Sequence, residues 1–504
     1  MNTALAQSFV IPEYDHYDRA DWQQDDIDFL LNIDKSANWS EMGCFKTSTA
    51  LWMLDEKLRG EGIKNPRVLV VTTKSGKGAY YRDIPICLDE DWVTYSVEAT
   101  GKTKILINGN IIKYSNIFAL PVESKRPSIT VAHYNCFQNR CKSWQLLDYV
   151  DWDMIIVDEA HRMKEKTSQW TRLIKQIGRR TPFKHIMTGT GMINRPNELW
   201  SPLNFLWPQG FSSYDQFKKE WCEIDNWDGF EHITGIKVGK EKELRELVRE
   251  YGPRRTKNGP NGVFEGILHE PLFTPEPVEL SDTQRKMYNE IKLMLQTLDQ
   301  QGEPIYSPNV LSQLSRQRQI CVATPKKMGE HYDPINERMV QEITLVEPSS
   351  KLDALMDIIE NTEPDQQVVV FSNFKDPIEL AKVRFDKAGI KYIHMEAGHD
   401  EDERYKLWHD VWPTKQHKVF ICTLQLGSES IDLTSADTCV FLDRSWSPKD
   451  NNQGISRIYR PGQTKIPQVI FINAMKTTDQ RIEQVNEVKM GWFNEIFGEE
   501  DGTD

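Results

Sequence analysis

Two series of short apolar runs constrain this chain more than any other feature. From Pro66 it runs Val68-Leu69-Val70-Val71-Thr72, Ile129-Thr130-Val131-Ala132, Ile155-Ile156-Val157 and Ile186-Met187-Thr188, with helical or irregular chain between them. After Ser349-Ser350-Lys351 the rhythm restarts with Val368-Val369-Val370-Phe371, Tyr392-Ile393-His394, Val419-Phe420-Ile421-Cys422, Cys439-Val440-Phe441-Leu442 and Val469-Ile470-Phe471-Ile472. Apolar runs without polar alternation are strands buried on both faces, and the lengths between them suit crossover helices. The expected fold class is α/β, with two lobes, each a mainly parallel sheet flanked by helices. Between the series, Gly259 to Pro277 is rich in Gly and Pro and reads as a linker. Leu280 to Gln301 then places Met287, Ile291, Met294, Leu295 and Leu298 on one helical face, which predicts a helical insertion. The expected division is lobe one over 1–257, linker and insertion over 258–348, lobe two over 349–490, and an acidic tail over 491–504.

At 504 residues, 39% hydrophobic and 27% charged, the chain suits two or three domains with their own cores. No stretch approaches the apolar length of a membrane span, and Met1 to Val10 has neither a basic leader nor a sustained apolar core, so the cytoplasm is expected. The eight cysteines are scattered without a Cys-x-x-Cys pair, which indicates neither a zinc site nor a disulfide frame. A net charge of −13 argues against indiscriminate nucleic-acid binding. Basic groups at Lys125-Arg126, Arg140 and Lys142, Arg179-Arg180, Arg254-Arg255 with Lys257, and Arg316 with Arg318 form a track only where a fold brings them to one cleft.

The third run of the first series closes on an acidic box, Asp158-Glu159-Ala160-His161. The box sits at the carboxyl end of a buried strand, where open α/β sheets place ligands. Two adjacent carboxylates there suit nucleotide hydrolysis, with Asp158 holding Mg²⁺ through its water shell and Glu159 orienting and deprotonating the attacking water. Alone, the box also describes a common acidic strand-to-helix turn.

Several motifs stand with it in one order: Thr188-Gly189-Thr190 with Asn194 and Glu198-Leu199, and Gln453-Gly454-Ile455-Ser456-Arg457-Ile458-Tyr459-Arg460-Pro461-Gly462-Gln463-Thr464. Together they resemble the Swi/Snf family of DNA-dependent ATPases within the superfamily 2 helicase-like proteins, from about Asp21 to about Ile482. The resemblance implies two RecA-like lobes with ATP and Mg²⁺ in the cleft between them, and movement along duplex DNA without full strand separation. Gln453, Arg457 and Arg460 match the family's most specific segment; the arginines would lie three apart on one helix face and offset charge on the transferred phosphoryl. Glu41-Met42-Gly43-Cys44-Phe45-Lys46-Thr47 stands where the family shows Glu-Met-Gly-x-Gly-Lys-Thr. Gly43, Cys44 and Phe45 would cradle phosphate, Lys46 would reach the β and γ phosphates, and the Thr47 hydroxyl would join Asp158 on Mg²⁺. Phe45 departs from the pattern: either the loop keeps negative φ there with the ring turned outward, or nucleotide binding is weakened.

Gln23, in Trp22-Gln23-Gln24, resembles the residue that reads adenine through a two-point amide contact. Thr188, Gly189 and Thr190, with His161, would relay γ-phosphate state to lobe closure, although Gly191 replaces the family's usual Pro. Lys74, Ser75, His133, Tyr134, Ser372, Asn373, Thr423 and Gly427 are the expected nucleic-acid contacts, each equally readable as a solvated loop; Ser428 and Ser430 replace family glycines beside Gly427. The expectation is a monomeric, ATP-dependent DNA translocase of a prokaryotic cell or virus-infected host cell. Two rivals stand beside it: a strand-separating helicase or motor of a restriction or repair assembly, and a non-hydrolysing nucleic-acid-binding or scaffold protein on a degenerate ATPase.

Overall fold

The apolar runs of the first series line up as neighbours in one eight-stranded sheet. Its strands are β1 (Lys35–Asn38), β2 (Arg67–Thr72), β3 (Val93–Val97), β4 (Thr103–Ile107), β5 (Asn110–Ser115), β6 (Ser128–His133), β7 (Met154–Asp158) and β8 (Phe183–Met187), in the order β1-β8-β7-β2-β6-β3-β4-β5. The computed structural model describes residues 19–498 apart from 75, 108, 116–124, 193, 228, 260–261, 308, 334–337 and 428–430. Two units are formed, Met1–Ile267 with Lys489–Asp504, and Leu268–Val488.

In unit one the strands from β1 to β3 in that order run parallel, and β4 and β5 add antiparallel. Leu69, Val71, Ile155 and Val157 face one buried cluster, and Val68, Val70, Met154 and Ile156 face another. Alternate residues thus enter opposite cores, as a double-covered parallel sheet demands, each burial contributing about 1.5–3 kcal/mol. The helices α1 (Asp21–Leu31) and α2 (Lys46–Gly60) bury Ile27, Leu30, Ala50, Leu51, Leu54 and Leu58 in the second cluster. Parallel strands leave their carboxyl ends on one edge, so the chain after β2, β6 and β7 emerges there. The β3-β4-β5 meander and the hairpin β9 (Cys222–Trp227) and β10 (Phe230–Ile236) were not foreseen in the sequence.

Unit two carries a fully parallel six-stranded sheet ordered β11-β20-β19-β16-β18-β17. Its strands are β11 (Leu272–Val278), β16 (Val368–Ser372), β17 (Tyr392–Met395), β18 (Val419–Thr423), β19 (Thr438–Phe441) and β20 (Gln468–Ala474). The linker expected up to Pro277 is corrected, because its last six residues, Leu272 to Pro277, lie in β11. An edge strand tolerates Pro275 and Pro277, since one side of it needs no ladder donor. The insertion holds α3 (Asp282–Met294) and α4 (Val310–Val322), with hairpins β12 (Gln296–Leu298) with β13 (Pro304–Tyr306) and β14 (Thr324–Asp333) with β15 (Arg338–Val346). The helix expected to reach Gln301 stops at Met294, where Leu295 turns left-handed at φ 59°, and Met294, Leu295 and Leu298 are exposed.

After α5 (Pro448–Ile455) comes the last helix, α6 (Thr478–Phe497), which corrects the acidic tail expected from 491. Ile496 and Phe497 join unit one's larger core, with Trp492 and Phe493 packed against it, so the aromatic face outweighs the acids in sequence around it. Among the described residues no helix is long and apolar enough to cross a membrane.

Candidate active site

The chain from β1 to α2 forms the candidate phosphate loop. Gly43 has φ 90°, which glycine adopts freely. Phe45 also takes a left-handed conformation, φ 45° and ψ 32°, immediately before α2. The negative φ offered as one outcome for Phe45 is therefore overturned: the loop keeps the geometry a glycine would have. A left-handed non-glycine residue costs about 1–2 kcal/mol. The Phe45 ring meets the buried ring of Phe264 edge-on at 5.8 Å, and its carbonyl accepts from Thr49 N (3.1 Å), Ser48 Oγ (3.0 Å) and Thr49 Oγ1 (3.1 Å). Those contacts hold the residue where strain alone would move it. Lys46 Nζ donates to the carbonyls of Ser40 (2.8 Å) and Glu41 (2.7 Å), and Thr47 stands partly buried in the first turn of α2. Burial, then the Glu41 charge, pushes the Cys44 thiol up to about 12, so at neutral pH it presents no competing anion to a phosphate.

At the end of β7, Asp158 accepts from Thr72 Oγ1 (2.9 Å) and from the Glu159 backbone N–H (2.9 Å). Burial first, and Glu159 next, raise its pKa above the usual carboxylate range, with Lys46 acting in the opposite sense. Two adjacent, partly buried carboxylates held this way favour a nearby dication. Glu159 is itself left-handed at φ 51°, a second strained backbone position at the same edge. Its carboxylate lies 3.1 Å from His161 Nδ1, which is 3.0 Å from Thr188 Oγ1 and 3.4 Å from Thr190 Oγ1. Tyr134, expected as a nucleic-acid contact, is buried and donates its hydroxyl to the carbonyls of Asp158 (2.7 Å) and Glu159 (3.2 Å). It braces the acidic box, a role sequence reasoning missed.

The Thr188-Gly189-Thr190 loop comes against the phosphate loop. A Cβ on Gly189 would lie 3.0 Å from Met42 N and 3.1 Å from Ser40 O, so a side chain there would push the two loops apart by a few tenths of an ångström. A Cβ on Gly191 would meet Phe497 at 2.7 Å and Trp39 at 3.0 Å. The departure at Gly191 thus makes room for the end of α6. Gln23 is buried at the start of α1; its side-chain oxygen accepts from Ala20 N (3.2 Å) and its nitrogen donates to Thr49 Oγ1 (3.2 Å) and Ser48 Oγ (3.4 Å). Reading a base would exchange these bonds. Arg254 and Arg255, flagged as a basic cluster, are occupied: Arg255 Nε and Nη2 both donate to buried Asp26 Oδ1 (2.9 and 2.7 Å), and Arg254 donates to the carbonyls of Trp39 and Phe497.

Of the other expected nucleic-acid contacts in unit one, Lys74 is exposed just after β2. Buried His133 faces Glu98 at 3.3 Å, and Lys77 pairs with the same carboxylate. Burial would raise the Glu98 pKa, but His133 and Lys77 hold it down to about 2. Ser75, Ser428 and Ser430 lie outside the described residues. In unit two, Ser372 is buried and donates to Asp443 Oδ1 (2.7 Å), and the exposed Asn373 places its amide on Asp443 Oδ2 (2.6 Å). Asp443, not singled out in the sequence, fixes both. Thr423 ends β18, partly buried. Gly427 is buried, and a Cβ there would lie 2.3 Å from the Phe371 ring, so packing alone requires the glycine.

Arg457 and Arg460 do not lie on a helix face as expected, because α5 stops at Ile455 and both stand in the turns after it. Those turns still bring them together: Arg457 Nη1 (3.4 Å) and Arg460 Nη1 (3.0 Å) donate to one carbonyl, that of Ile431. The Gln453 backbone carbonyl accepts from Arg457 Nε (3.1 Å), and Gln463 ties the turn to the carbonyls of Ala436 and Ile458.

Comparison with known proteins gives two adjoining family matches, an SNF2-related domain over residues 89–326 and a helicase conserved C-terminal domain over 350–462. An uncharacterized ATP-dependent helicase of Mycoplasma genitalium is 25% identical over 89% of this chain and 39% of its own length. A chromodomain-helicase-DNA-binding protein 3 homolog of Caenorhabditis elegans is 23% identical over 90% of this chain and 26% of its own. The chain therefore spans well under half the length of these relatives. The Sulfolobus solfataricus SWI2/SNF2 ATPase core in complex with dsDNA aligns with 98% of the chain and 96% of its own length at 18% identity and a TM-score of 0.40.

Proposed function

We propose, from the premise that this chain belongs to the Swi/Snf family of helicase-like ATPases, that it is a DNA-dependent ATP hydrolase and duplex translocase. The observation that carries the reading is the set of contacts in unit one that joins Lys46 and the loop carbonyls, Asp158, Glu159, His161 and Thr188 to Thr190 at one edge of the sheet. On nucleotide arrival, Lys46 exchanges the Ser40 and Glu41 carbonyls for phosphate oxygens, and the open N–H groups at the start of α2 accept the same negative charge. Glu159 orients a water and takes its proton, while His161 holds the carboxylate toward Thr188 and Thr190. Arg457 and Arg460 supply cations to the transferred phosphoryl.

Thr47 and Asp158 would hold Mg²⁺, which when bound neutralises phosphate charge and orients the phosphoryl group. Mg²⁺ usually takes one or two protein ligands and fills its remaining positions from phosphate and water. Lys74, Asn373 and Thr423 are proposed to meet the DNA backbone, with the chain working as a monomer in the cytoplasm of a prokaryotic cell or virus-infected host.

Displacement of a third strand from a triplex, run beside unwinding of a forked duplex, tests this reading. ATP-dependent triplex displacement without unwinding supports it. Unwinding would favour the strand-separating helicase, and nucleic-acid binding with no ATP turnover would favour the scaffold reading.

A further inference from the structure

The phosphate loop is held from outside by Lys257 and Phe264. Lys257 donates its backbone N–H to Glu41 Oε2 (3.0 Å), and its Cε lies 3.5 Å from where a Cβ on Gly43 would stand. Phe264 packs on Phe45. The two are tied together by Phe264 N to Lys257 O (2.8 Å), beside Val263 N to Thr256 O (3.0 Å). Three points of the loop, Glu41, Gly43 and Phe45, therefore meet these two residues, and the point with the strained backbone meets a ring that is 1% exposed.

A glycine at position 45 would adopt this geometry without help, whereas phenylalanine must be held in it. We propose that Phe264 is a positioning residue for nucleotide binding: its ring latches Phe45 in the left-handed conformation and so keeps the loop in its phosphate-receiving shape. The inference rests on reading this loop as the phosphate site. It assigns Phe264 no contact with substrate; the effect passes through Phe45 alone. Losing the latch lets the loop relax to an ordinary backbone, and ATP binding must then restore the strained form. The loss belongs in ATP affinity and KM, because saturating ATP refills the competent form.

The test is a double-mutant cycle on the full chain with Mg²⁺ and duplex DNA. KM and kcat come from steady-state ATPase, and a fluorescent ATP analogue reports binding without turnover. Phe264→Ala is expected to raise KM and the analogue's Kd by about tenfold, the factor for roughly 1.4 kcal/mol of conformational bias, with kcat within about twofold. Phe264→Leu, which keeps an apolar side chain and much of the volume, should recover most of the affinity, and it remains informative where the alanine variant fails to fold. In the Phe45→Gly background, Phe264→Ala should change KM by less than about twofold, because glycine needs no latch. Phe45→Ala, which keeps the backbone cost and loses the ring, should raise KM more than Phe45→Gly. Equal effects of Phe264→Ala in both backgrounds, or a fall confined to kcat, would overturn the latch while leaving the ATPase itself established. An inactive wild type that also binds no analogue would instead remove the phosphate-site reading on which the latch rests.

Discussion

In unit one Glu159 touches His161, His161 reaches Thr188 and Thr190, and Tyr134 and Thr72 pin the backbone and carboxylate beside them. In unit two Arg457 and Arg460 converge on one neutral carbonyl, Ile431 O, with Asp432 3.6 Å from Arg460. The first set is held together by its own side-chain contacts. The second is held mainly by part-buried hydrogen bonds to backbone carbonyls, each a net contribution of about 0.5–1.5 kcal/mol. Arg255 marks the opposite limit, with two donors on a buried carboxylate. Arginine pairs that look alike in sequence thus differ in what holds them, backbone carbonyls for Arg457 and Arg460 and a buried carboxylate for Arg255.

Breaking the assembled side should have the largest effect. Glu159→Gln is expected to bind ATP and DNA yet lose about 10³-fold in turnover, measured by phosphate release beside nucleotide binding. Replacing Arg457 or Arg460 by Ala should lower kcat by about 10²–10³-fold with ATP affinity within several-fold. Unchanged turnover in both arginine variants would remove them from the mechanism.

Arg255→Ala sharpens the contrast, because it strands Asp26 without its partner. About 3 kcal/mol of stability should be lost, read as a shift in the denaturant midpoint. His185 gives a pH signature of unit one's core. Burial depresses its pKa from 6.5 to about 3, so the unfolded chain takes up a proton first as pH falls. Its contribution is complete above pH 6.5 and is lost progressively toward pH 3, about 1.4 kcal/mol per pH unit; His185→Gln should flatten that slope in pH-dependent denaturation. The smallest effect expected is that of Tyr134→Phe, about fivefold in turnover from one lost hydroxyl donor, roughly 1 kcal/mol.

The two parallel sheets were legible because runs such as Val68 to Thr72 and Val368 to Phe371 are apolar on both faces, a pattern few other elements share. The acidic box and Lys46-Thr47 stood out only through the motifs that accompany them in order, since the box alone also describes a common acidic strand-to-helix turn. The hairpins β9–β10 and β14–β15 were not, because their exposed faces break the alternation that marks a strand. Arg457 and Arg460 were read on a helix because three-residue spacing suits one, yet Gly462 and Pro461 follow closely and the chain turns at Ser456. The Tyr134 brace and the Phe45–Phe264 contact join residues 24 to 219 positions apart, and local patterns carry no signal across that distance.

Steady-state ATPase with Mg²⁺, with and without duplex DNA, beside a Lys46→Ala control, tests most directly whether the assembled edge of unit one is a working nucleotide site. The expected result is turnover strongly stimulated by duplex DNA in the wild type and abolished in the control. Turnover that persists in Lys46→Ala, or none with any nucleic acid, would contradict it.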